Sequence, residues 1–70
     1  MASLSYGMVV VYAAKMKNGK FRCVGATSWR DAKRHLGSAA LSIKRRVVSR
    51  DEQYEASYSE ELRREIFERE

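Results

Sequence analysis

Three side chains in this sequence have the chemistry that phosphodiester hydrolysis needs, and they stand in separate segments. The phenol of Tyr12 could orient or deprotonate a water, and the planar guanidinium of Arg34 could bind the scissile phosphate. The carboxylate of Glu61, with Glu60 as the alternate, could hold one divalent ion. Mg²⁺ is the expected ion, because it binds few carboxylates and keeps most of its waters. These are the catalytic candidates, and Glu61 is also the candidate metal ligand.

Each candidate also has a purely structural explanation. The ring of Tyr12 could cover the backbone of Gly25 across a hairpin. Arg34 fits an exposed position on a helix. Glu60 and Glu61 fit the first turn of a helix, where the helix dipole favours acidic side chains. Residue type alone does not separate the two explanations.

The distribution of charge points to a phosphate-bearing partner. Residues 1–50 contain eleven Lys and Arg but one acid, Asp31, whereas residues 51–70 contain eight acids and three arginines. A basic segment of this density favours nucleic acid, because binding releases counterions from the phosphates. The acidic end could fold back on the basic segment, supply metal ligands, or form a solvated tail. The candidate nucleic-acid-binding residues are Lys15, Lys17, Lys20, Arg22, Arg30, Lys44, Arg45, Arg46 and Arg50.

Length and composition limit the kind of protein. Seventy residues form a single domain, and one cysteine, Cys23, cannot form an internal disulfide. One cysteine and one histidine, His35, also exclude a structural zinc site. The apolar run over 8–14 is too short for a membrane helix, and no basic segment precedes it. We therefore expect a buried strand there and a cytoplasmic protein, with Cys23 as a small core residue and His35 at the surface or half-buried.

The residues around Asn18-Gly19 predict a β-hairpin. This dipeptide suits a two-residue type I′ turn, in which both central residues have positive φ. Pairing outward from such a turn places Tyr12 opposite Gly25 and Lys15 opposite Arg22. The first strand is apolar on both faces over 8–14, which is typical of the centre of a sheet. The hairpin therefore needs a third strand.

The remaining segments supply that strand and two helices. Ser28 with Asp31 is an N-cap pattern for a helix over about 28–36, which Gly37 ends. Residues 41–48 alternate as a strand but also fit a helical stripe, and their β-branched residues favour the strand. Residues 51–57 are expected to be a loop, after which Ser57 and Glu60 start the last helix.

These elements predict an α+β fold of order ββαβα. A small antiparallel or mixed three-stranded sheet is covered by two helices, and the whole of residues 1–70 is one domain. The alternative order, ββαα, applies if residues 41–48 are helical.

Part of the chain resembles the GIY-YIG nuclease family. The resemblance is carried by Val10-Val11-Tyr12, Cys23-Val24-Gly25, Ala26-Thr27-Ser28 and Arg34-His35-Leu36, with Val10 and Cys23 standing where that family has glycine and tyrosine. It implies a metal-dependent phosphodiesterase that uses Tyr12, Arg34 and a glutamate of a later helix. The ββαβα order is similar to the core of that family.

The sequence thus leaves two classes of function open. One is a DNA- or RNA-binding protein, with or without Mg²⁺-dependent cleavage, whose binding depends steeply on salt. The other is a non-enzymatic accessory or inhibitor protein, of the kind that phages and mobile elements encode. Such a protein would bind a host protein through the hairpin edge or the last helix. A homodimer, in which the acidic helix of one copy docks on the basic segment of the other, is a third arrangement.

Overall fold

The predicted α+β fold is confirmed by the structure, a computed structural model that describes residues 7–69. Its sheet is antiparallel with three strands, and the predicted strand over 41–48 is present. The strands are β1 (Met8–Met16), β2 (Phe21–Gly25) and β3 (Ala40–Ser49). The α-helices are α1 (Trp29–Leu36), α2 (Arg50–Ala56) and α3 (Glu60–Glu68), and a 3₁₀ turn (Gly37–Ala39) joins α1 to β3. The N-terminal residues on which the expected lack of a leader segment rests lie outside the described range.

The central strand is β1, as its two apolar faces predict. The strand order is β2-β1-β3, so both backbone edges of β1 are hydrogen-bonded. Val11 and Ala13 on one face are 1% and 0% exposed, and Tyr12 and Ala14 on the other are 5% and 0% exposed. A strand buried on both faces has to be covered by helices on both sides.

The turn that joins β1 to β2 differs from the predicted one. The N–H of Gly19 donates to the Met16 carbonyl at 2.9 Å, and the N–H of Met16 donates to the Lys20 carbonyl at 2.8 Å. Gly19 has φ 85°, whereas Asn18 does not have positive φ. The predicted two-residue type I′ turn is therefore wrong. The loop has three residues, with Gly19 left-handed at its last position, and Asn18 accepts the Lys20 N–H through Oδ1 at 2.9 Å.

The longer turn moves the hairpin register by one residue. Lys15 pairs with Phe21, Ala13 with Cys23 and Val11 with Gly25, so the predicted pairs Lys15–Arg22 and Tyr12–Gly25 are wrong. Because side chains alternate along a strand, a shift of one residue exchanges the faces of β2. The physical reason is burial: this register brings Phe21 to the side where its ring packs against Phe67, with centroids 5.4 Å apart.

Two hydrophobic clusters cover the two faces of the sheet. On one face, α2 and α3 contribute Ala56, Ile66 and Phe67, which pack on Val11, Ala13, Phe21 and Val48. On the other face, α1 contributes Leu36, which packs on Ala14 and Met16. We call these the α3 side and the α1 side of the sheet.

The ends of α1 lie where the sequence predicts them. The hydroxyl of Ser28 accepts the Asp31 N–H at 3.1 Å, which satisfies one of the free donors of the first turn. Gly37 ends the helix with φ 73°, a conformation that favours glycine.

The predicted loop over 51–57 is instead mostly helix, α2. Ser49 and Glu52 form a reciprocal capping box that starts it. The N–H of Ser57 donates to the Tyr54 carbonyl at the end of α2, so Ser57 does not start the last helix as predicted. Ser59 does, by accepting the Leu62 N–H at 3.2 Å. Ser-x-x-Glu occurs at Ser49 as well as at Ser57, and the sequence pattern does not say which serine caps a helix.

None of the helices within residues 7–69 has the length and apolar character that crossing a membrane requires.

The core on the α3 side should be the most sensitive to truncation. Ile66 is 0% exposed, so Ile66→Ala removes apolar contacts and leaves a cavity, for which we expect a loss of about 2–5 kcal/mol in the free energy of unfolding. Leu41 is 62% exposed, and Leu41→Ala should change the free energy of unfolding by less than about 0.5 kcal/mol. Urea denaturation of the two variants checks this, and equal midpoints would show that Ile66 does not support the fold as described.

Candidate nucleic-acid interface

Tyr12, the first catalytic candidate, is part of the core on the α1 side. Its neighbours across the strands are Val24 and Arg45. Its ring meets that of Trp29 edge-on, with centroids 5.4 Å apart and planes at 71°. Tyr12 is 5% exposed, and its ring lies beneath the indole of Trp29, which helps to cover it.

Arg34, the second candidate, lies on the outer surface of α1. Its side chain is 78% exposed, and Nη2 lies 2.6 Å from Oδ1 of Asp31, one turn earlier. The predicted surface position of His35 is confirmed: its side chain is 53% exposed, and Nε2 lies 3.6 Å from the other oxygen of Asp31. A pair of this exposure stabilises the helix slightly and leaves most of the guanidinium open to solvent.

Glu60 and Arg63 of α3 hold the backbone of β2 at its outer edge. The Phe21 N–H donates to the Glu60 carboxylate at 3.2 Å, and Nε of Arg63 donates to the Phe21 carbonyl at 2.8 Å. Arg63 also donates to the Ala56 carbonyl at 2.8 Å. The two side chains thus replace the strand partner that an edge residue lacks. Glu61 is exposed in the first turn of α3.

The structure does not bring the three catalytic candidates together. Tyr12 and Arg34 belong to the α1 side of the sheet, whereas Glu60 and Glu61 belong to α3, which packs on the opposite face. Within residues 7–69 no group of three or more His, Cys, Asp or Glu side chains is arranged to hold a metal ion. Cleavage and the Mg²⁺ ion stay predictions that rest on the resemblance.

The basic residues separate into two sets, because neighbouring positions of β3 point to opposite faces. Arg45 pairs with Tyr12 and Arg22 with Ala14, so both arginines point to the α1 side. On α1, Ala32 and Leu36 are buried and the basic side chains are exposed. The hairpin turn adds two exposed lysines at one end of the sheet. We call this set the basic face: Lys17, Lys20, Arg22, Arg30, Lys33, Arg34 and Arg45.

Lys33 is a member that the candidate residues from the sequence did not include. Its position follows from helical spacing, because Arg30, Lys33 and Arg34 are three and four residues apart and lie on one side of α1. The signal was therefore present once residues 28–36 were assigned to a helix.

The second set of cations is used within the fold or lies outside the basic face. Arg46 donates to the Ile66 and Phe67 carbonyls at 3.1 and 3.2 Å, where it satisfies the C-terminal end of α3. The ammonium of Lys44 lies 4.5 Å from the centre of the Phe67 ring. Lys15 points to the α3 side, and Arg50 is the first residue of α2. The predicted group Lys44-Arg45-Arg46 is thus split, and Arg45 alone joins the basic face.

The described ion pairs of the α3 side join carboxylates to two arginines, Arg64 and Arg69. Arg69 lies 3.0 Å from Glu52 and 3.2 Å from Glu65, and Arg64 lies 3.8 Å from Glu68. The hydrogen bond from Arg69 is the main reason why the pKa of Glu52 lies below its usual value. Of the carboxylates within residues 7–69, all but Asp31 stand on α2 or α3. Among the described ion pairs, Arg34 is the basic-face residue that has a carboxylate partner.

Comparison with protein-family models, with curated proteins and with solved structures finds no significant match.

Cys23 should be a poor nucleophile in the folded protein. Burial raises the pKa of its thiol to about 11, and the nearby charge of Arg63 offsets this only in part. At about pH 8 roughly one thiol in a thousand is then ionised, and the thiolate is the reactive form. We expect iodoacetamide to modify the native protein far more slowly than the urea-unfolded one, with a rate that rises up to about pH 11. Equal rates in the two states would contradict the burial of this side chain.

Proposed function

We propose that this protein binds nucleic acid through the basic face. The observation that carries the proposal is the separation of charge by the sheet: five cationic side chains of the strands and α1 share the α1 side with one carboxylate, Asp31, and two lysines of the hairpin turn lie at one end of the sheet. The other carboxylates of the described residues stand on α2 and α3, beyond the sheet. An ordinary solvated surface mixes the two signs, as the α3 side does.

The chemistry of these side chains suits phosphates. Five of the seven extend from strands or from α1 and two from the hairpin turn, so the positions of their Cα atoms are fixed by the fold. Four are arginines, whose planar guanidinium can donate two parallel hydrogen bonds to one phosphate. Each phosphate contact releases a counterion, which makes affinity fall steeply as salt rises.

The fold itself uses part of each surface on which a protein partner was expected. The outer edge of β2 is capped at Phe21 by Glu60 and Arg63. The apolar stripe of α3 is buried, since Ile66 and Phe67 are 0% and 8% exposed. These contacts favour nucleic acid over the accessory-protein alternative. A cytoplasmic location, where such a partner is present, belongs to the same proposal.

Charge reversal on the basic face should weaken binding. Arg22→Glu and Arg45→Glu each remove a phosphate contact, which costs about five- to eightfold in affinity at about 0.1 M salt and lowers the salt slope by about one. Repulsion by the new carboxylate adds to that loss. Anisotropy of a labelled oligonucleotide across a salt series measures both quantities.

The matched control is Arg64→Glu. It changes the net charge by the same amount at an exposed position of α3, where Arg64 pairs with Glu68. We expect it to keep near-native affinity. If Arg64→Glu weakens binding as much as Arg22→Glu and Arg45→Glu do, overall charge rather than the basic face accounts for binding, and the proposal is overturned.

A further inference from the structure

The end of the sheet far from the hairpin turn is not covered by α1. Leu36, at the end of α1, packs near the turn on Ala14 and Met16. Trp29, at its beginning, rests on Tyr12. The next row of side chains on the same face is the cross-strand pair of Val10 and Val47. Within residues 7–69, Trp29 therefore marks the place where the cover of this face by α1 ends.

Two apolar side chains at this boundary are accessible: Trp29 is 43% exposed and Val47 is 40% exposed. The indole is held from below by the ring of Tyr12, which is 5% exposed. Trp29 and Val47 are thus exposed apolar side chains in adjacent rows of the same face, and we call them the patch.

Cationic side chains adjoin the patch. Arg45 is the strand partner of Tyr12, the residue beneath Trp29, and stands two positions from Val47 on the same face. Arg30 follows Trp29 on α1 and is exposed. An indole beside guanidinium groups suits a nucleotide, because the base can stack on the ring while the arginines contact its phosphates.

The patch distinguishes single strands from duplexes. A duplex presents phosphates and base edges on its exterior and keeps the faces of its bases stacked inside, so it offers no base face to stack on Trp29. An unpaired base exposes an apolar face that stacks on aromatic side chains. An oligonucleotide single strand therefore matches both parts of this surface.

We propose that the basic face binds single-stranded nucleic acid, with an unpaired base stacked on Trp29. This inference rests on the proposed function and adds the class of its ligand. Arg22, Arg30 and Arg45 contact the backbone of the strand, and Trp29 supplies the contact that a duplex cannot use.

The emission of Trp29 tests the inference directly, because it is the one tryptophan in the sequence. The wild-type protein is titrated with oligothymidine, with oligouridine, and with a duplex of equal phosphate number. We expect stacking to quench the indole with at least one of the single strands, and we expect that strand to bind more tightly than the duplex. Comparison of the two strands shows whether DNA or RNA is preferred, and quenching by either supports the inference.

Substitution of Trp29 provides the second arm. Trp29→Leu should lower affinity for the single strand about fivefold or more and leave its salt slope unchanged, since no charge is removed. Trp29→Phe, which keeps an aromatic ring, should recover part of the loss. The control is Tyr58→Leu, which removes an aromatic ring that is 68% exposed on the α3 side and should have no effect.

Failure of this inference is distinguishable from failure of the proposed function. Equal affinity for duplex and single strand, with unchanged Trp29 emission, overturns the stacking model even if the charge-reversal variants still lose binding. Because the emission is measured on the wild-type protein, that result holds even if Trp29→Leu does not fold.

Discussion

Burial of β1 on both of its faces is the constraint from which the arrangement of this protein follows. Val11 and Ala13 on one face and Tyr12 and Ala14 on the other are nearly inaccessible to solvent. A layer of helices on one side of the sheet covers one face only, so helices are needed on both sides. The chain meets this requirement by placing α1 on one side and the pair α2 and α3 on the other. Hydrophobic burial therefore sets the face of the sheet on which each helix packs, independently of polar contacts.

The separation of charge is a consequence of that division. The carboxylates at the end of the chain are carried to the α3 side because α2 and α3 have to bury Ala56 and Ile66 there. Three of them pair with arginines on that side: Glu52 and Glu65 with Arg69, and Glu68 with Arg64. The α1 side keeps its cations because the part of the sequence that forms it contains one acid, Asp31. Hydrophobic burial, rather than attraction between unlike charges, thus sets the polarity of the surface.

Much of the fold could be predicted from local patterns, whereas the assembly of the site could not. The caps of α1 at Ser28 and Gly37 and the central position of β1 follow from short-range rules and are confirmed. The predicted hairpin register was wrong, because Asn-Gly suits both a two-residue and a three-residue loop. The burial of Phe21 decides between the two loops. Whether a candidate residue shares a face with another depends on that register and on which side each helix packs. Both are long-range properties that no motif records.

The two outer edges of the sheet are protected in different ways against pairing with a strand of another copy of the chain. Glu60 and Arg63 form hydrogen bonds with the backbone of Phe21 at the outer edge of β2. Within residues 7–69, no strand pairs with the outer edge of β3. Addition of another strand is thus opposed at Phe21 by the side chains of Glu60 and Arg63, whereas the outer edge of β3 depends on charge. Lys44, Arg45 and Arg46 place three consecutive positive charges on β3, and the like charges of two such strands would repel each other if the strands paired.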